Sequence, residues 1–65
     1  MMNYSQWHSI MSRKVRAYDK AQLAGAKLDC YAALAIWDKE KPAAEYCVKL
    51  WAEIDAIRER EVELK

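Results

Sequence analysis

Glycine and proline occur once each in this 65-residue chain, as Gly25 and Pro42, histidine once, as His8, and phenylalanine not at all. With so few helix breakers, the chain has few places to end one regular element and begin another. The two cysteines, Cys30 and Cys47, and the single histidine exclude a structural zinc site, which takes about four thiolate or imidazole ligands at short spacing. Two well-separated cysteines without a secretory leader read as reduced thiols, and a cytoplasmic location is expected. The start Met1-Met2-Asn3-Tyr4 lacks the apolar stretch of a signal peptide. An excess of charge is also missing. The net charge is +1, so no global field selects nucleic acid or an anionic membrane. The longest purely apolar run, Cys30 to Trp37, falls far short of the ~20 residues that span a bilayer. No glycine-rich phosphate loop, metal-ligand cluster or catalytic motif is present, so the chain reads as a non-enzyme without cofactor.

What the sequence does have is apolar mass. Hydrophobic residues make up 54% of the chain, with Trp7, Trp37 and Trp51 and four tyrosines supplying large side chains. A chain of this length buries only about 60% of its unfolded surface, so a monomeric core is marginal and association is the expected remedy.

The one strong punctuation mark is Lys39-Glu40-Lys41-Pro42. Proline suits the first turn of a helix and pushes the residue before it out of helical conformation. The expected fold is therefore all-α. An antiparallel two-helix hairpin places a long helix A over about 4–38, a turn at about 39–41 and a shorter helix B over about 42–64. Asn3 and Gln6 have capping-box spacing at the start of helix A, and a break near 9–12 with Ser12 as a second cap is an open alternative. Helix B carries the cleanest repeat, in which Ala43, Cys47, Leu50, Ile54, Ile57, Glu61 and Leu64 follow 4-3 spacing, with Tyr46 and Trp51 on its flanks.

Helix A is apolar on two sides. Its 4-3 positions from Ala21 through Gly25, Leu28, Ala32 and Ala35 are mostly small, and small seams admit larger knobs. The expected intrachain core is thus Leu28, Ala32, Cys47, Leu50, Trp51, Ile54 and Ile57. The opposite side then needs a second partner. Helix A, at ~50 Å, also outruns helix B, at ~35 Å, and leaves its first residues overhanging. The expected self-association interface is Leu23, Cys30, Leu34 and Trp37, with Trp7, Met11 and Val15 from the overhang. The overhang also has the option of folding back as a short separate helix.

Two further groups bear on chemistry. His8, with Ser5, Ser9 and Ser12, has no carboxylate nearby in sequence to orient it, so it reads as a surface or capping residue. Arg13, Arg16 and Lys20 share one helical face and are candidate contacts for an anion or nucleic acid, with Trp7 or Tyr18 to stack a base. Three cations on a nearly neutral chain are few for a dedicated duplex binder. The outline is similar in shape alone to small antiparallel hairpins that dimerise into four-helix bundles, and shape does not transmit function. The functional expectation is a homo-oligomer, with a dimer favoured, that binds and regulates or inhibits another protein, in the manner of many small phage and plasmid regulators. The alternatives are nucleic-acid or nucleotide binding through the basic segment and a structural subunit of a larger assembly.

Overall fold

The computed structural model describes residues 2–40 and 44–65, and side-chain surroundings for all of these except 37–40 and 44. Three helices follow one another, α1 (Tyr4–Val15), α2 (Lys20–Glu40) and α3 (Ala44–Glu63). The expected long helix A is thus two helices, and the two-helix hairpin is corrected to a three-helix chain. The expected turn at 39–41 and helix start at Pro42 lie mostly outside the described residues. Residues 39 and 40 still belong to α2.

Local chemistry explains where α1 and α2 begin. Asn3 accepts from the Gln6 N–H at 2.9 Å, and its own N–H donates to Gln6 Oε1 at 2.9 Å. Each orphan donor of the first turn that is satisfied in this way stabilises the helix by about 1 kcal/mol. The same reciprocal pair recurs at Asp19 and Gln22, with 2.8 Å and 2.9 Å separations. This second box sets the break. The chain leaves α1 through a tight turn in which Ala17 N–H reaches Lys14 O and Tyr18 N–H reaches Val15 O, and it re-enters helix at Lys20. The alternative break near 9–12 does not occur, because α1 runs unbroken through Ser9 and Ser12.

Helix α3 is the shared packing partner. Both α1 and α2 lie along it, and they scarcely touch each other. Lys27 pairs with Glu61 and Cys30 with Glu53, so α2 runs antiparallel to α3. Tyr4 pairs with Asp55 and His8 with Glu59, so α1 advances in the same direction as α3. The molecule is correspondingly flat, 35 × 22 × 15 Å.

The core contains Met11 and Val15 of α1, Leu23, Cys30 and Leu34 of α2, and Leu50, Ile54, Ala56 and Ile57 of α3. Leu23, Ile54, Ile57 and Val15 are fully enclosed, each contributing roughly 1.5–3 kcal/mol of hydrophobic stabilisation. Ala52 and Ala56, one turn apart and both buried, give α3 a low-relief strip. Small side chains at that spacing let a neighbouring helix come close. Val15 lies with Ala56 at the wall of one surface cleft, which puts α1 on this strip.

Candidate interaction surface

The two sides of α2 are exchanged relative to the sequence expectation. Leu23, Cys30 and Leu34, expected at an interface between copies, are buried against α3. Leu28, expected in the intrachain core, is 67% exposed, and Ala32 is exposed as well. The inward side also brings Cys30 to Glu53 and Lys27 to Glu61, so the packed face of α2 satisfies polar groups of α3 as well as burying apolar surface. Met11 and Val15, also expected between copies, are buried within the chain, and Trp7 packs at the edge of the same core. The side chain of Trp37 lies outside the described residues. On α3, Leu50, Ile54 and Ile57 are buried, Cys47 is half-buried and Trp51 is 48% exposed.

An outward apolar face therefore remains on α2. Leu28, Tyr31 and Ile36 project from it, with Ala24, Gly25, Ala32 and Ala35 exposed between them. Lys27 and Arg58 line one open groove between α2 and α3. Tyr31 lies one turn beyond Lys27, and Trp51 lies two turns before Arg58 on the antiparallel neighbour. The helical repeat thus puts Tyr31 and Trp51 on the same flank, and Trp51 extends the apolar face onto α3.

Polar chemistry gathers on the opposite side, around Glu53. The Cys30 thiol donates to Glu53 Oε2 at 3.0 Å, and Lys14 Nζ lies 3.2 Å from Glu53 Oε1. One carboxylate thus ties α1 and α2 to α3. Burial, then the hydrogen bond and charge of Glu53, push the Cys30 thiol up to about 12. A thiol held so firmly in its protonated form is a poor nucleophile. For Lys14, desolvation works against the charge, but the hydrogen bond and charge of Glu53 outweigh it and the ammonium is held above its usual range. Tyr4 donates to Asp55, which is the leading reason its phenol is pushed up to about 12. His8 Nε2 lies 2.8 Å from Glu59 Oε2 and its ring stacks on Tyr4. The expected surface role of His8 is thus a docking contact between α1 and α3. No cluster of three metal-ligating side chains forms among the described residues.

Arg13, Arg16 and Lys20 are exposed around the corner between α1 and α2. The aromatics expected to stack beside them are engaged elsewhere. Trp7 lies under the Lys49 ammonium, 5.4 Å from the ring centroid, and both Trp7 and Tyr18 pack against the core.

Fold and surface together define an all-α, three-helix chain with a one-sided apolar face. Compared with models of known families, with curated proteins and with solved structures, the chain matches none of them. Among the described residues no helix is long and apolar enough to cross a membrane.

Proposed function

We propose that this chain is a non-enzymatic helical interaction module that associates with itself and, in the associated form, binds and regulates another protein. The observation carrying this reading is the outer face of α2. Leu28, Tyr31 and Ile36, together with Trp51, hold between 42% and 67% of their surface in water on one side of the molecule. Single exposed apolar residues are ordinary, but a contiguous group usually marks a binding surface. Among the described residues the interior is one modest core, which leaves folding in need of further apolar burial. Sedimentation velocity over a concentration series tests it. A rise in mass with concentration is expected, and a monomer throughout the series would refute self-association.

A further inference from the structure

We propose that the outer face of α2 docks on the same face of a second copy, helix against helix and antiparallel. This rests on the self-association proposed above and specifies where and how it happens. Three observations carry it.

The first is Gly25. A glycine inside a helix is unfavourable relative to alanine, and such a position usually has a packing reason. Within the chain there is none, because a Cβ built at Gly25 meets nothing within 4 Å. The residue also lies on the exposed face. Whatever requires a bare backbone there approaches from outside.

The second is relief. Along the face, large side chains (Leu28, Tyr31, Ile36) alternate with small ones (Ala24, Gly25, Ala32, Ala35). Reversing one copy about a two-fold axis level with residue 30 sets Leu28 over Ala32, Ile36 over Ala24 and Gly25 over Ala35 of the second copy. The knobs Leu28 and Ile36 then each meet a gap while Tyr31 falls level with Asp29, and the pairing repeats about the axis as two-fold symmetry requires. Parallel packing would instead place Leu28 against Leu28 and bring the flanking Lys20 and Lys27 level with their own counterparts.

The third is area. The exposed parts of Leu28, Tyr31, Ile36 and Trp51, with the small residues between them, offer at most roughly 600 Å² per copy, or about 1,200 Å² across two when wholly covered, the lower end of the range for stable specific interfaces.

Gly25→Leu and Leu28→Glu, compared with the wild type by sedimentation velocity and circular dichroism, decide the matter. A leucine at position 25 has open space within one chain, so helicity and thermal midpoint at low concentration are expected to hold or rise. The dissociation constant of the dimer is expected to rise tenfold or more. Variants that stay helical and become monomeric support the α2 interface. If the wild type associates and both variants associate equally well, the α2 face is refuted while self-association stands. A wild type that is monomeric throughout overturns both. Orientation is read from mild oxidation of Leu28→Cys mixed with Ala32→Cys, with the cross-links mapped by mass spectrometry. A 28-to-32 bond between copies is expected, and a 28-to-28 bond formed by Leu28→Cys alone would overturn the antiparallel arrangement.

Discussion

Leucines 23 and 28 stand little more than one turn apart on α2, with opposite surroundings, and truncating each to alanine separates the fold from its surface. Leu23 is 0% exposed. Leu23→Ala removes about three carbons of buried side chain, at ~0.8 kcal/mol each, and leaves a cavity that a rim of isoleucines fills only in part. The cost is about 3 kcal/mol. A chain of this size has roughly 3–10 kcal/mol to lose, so the variant is mostly unfolded or has its thermal midpoint lowered by ~12 °C or more. Leu28 is two-thirds in water within the monomer. Leucine and alanine have similar helix propensity, so Leu28→Ala costs the monomer only about 0.5 kcal/mol. Urea unfolding followed by far-UV circular dichroism, at concentrations below self-association, measures both. Repeating it at higher concentration adds the linkage of folding to assembly, which stabilises the wild type and fails to stabilise Leu28→Ala. Equal costs in dilute solution, or a larger cost at Leu28, would show that α2 meets α3 with its other side.

Two further outcomes follow from local chemistry. The Tyr4 phenol titrates near 10 in an unfolded chain and near 12 here, so its contribution to stability is intact below about pH 10 and is lost as pH rises towards 12. Cys30, whose thiol is raised from 9.0 to about 12, adds to the same alkaline loss. Tyr4→Phe is expected to flatten the fall of the thermal midpoint over that range, and an unchanged pH profile would place the phenol away from Asp55. Asp19→Ala removes the α2 cap at a cost of about 1 kcal/mol, and amide exchange at Gln22 should accelerate before exchange deep in α3 does. Uniform acceleration across all three helices would mean that Asp19 does more than cap.

The sequence made some parts of this fold readable and concealed others for physical reasons. The cap at Asn3 and the seam Leu50–Ile54–Ile57 stand out because each has a fixed spacing. The break at Arg16–Asp19 carries a comparable signal, since Asp19 and Gln22 repeat the spacing of Asn3 and Gln6, but Met11, Val15, Tyr18 and Ala21 keep helical spacing across it and hide it. Which side of α2 faces inward is a harder question. Both of its stripes keep helical spacing, and the choice depends on total buried area across three helices, not on the pattern of one. Ala52 and Ala56 carry no signal alone, and the place of Ala56 beside α1 emerges only once α1 lies back along α3. Two apolar stripes on α2 are legible in the sequence, and within the chain the one enclosed is that of Leu23, Cys30 and Leu34.

The helix that touches both others follows them in sequence. Contacts between α1 and α3 join residues as far as 51 apart, as in Tyr4 with Asp55, whereas Lys27 and Glu61 in the α2–α3 pair are 34 apart. Because α1 and α2 scarcely meet, each takes nearly all its tertiary contacts, among the described residues, from α3. Closing the nearer α2–α3 pair therefore costs less chain entropy than closing the longer loop to α1. Wherever α3 is displaced, both apolar sides of α2 are uncovered together, so its docking guards the chain against stray association.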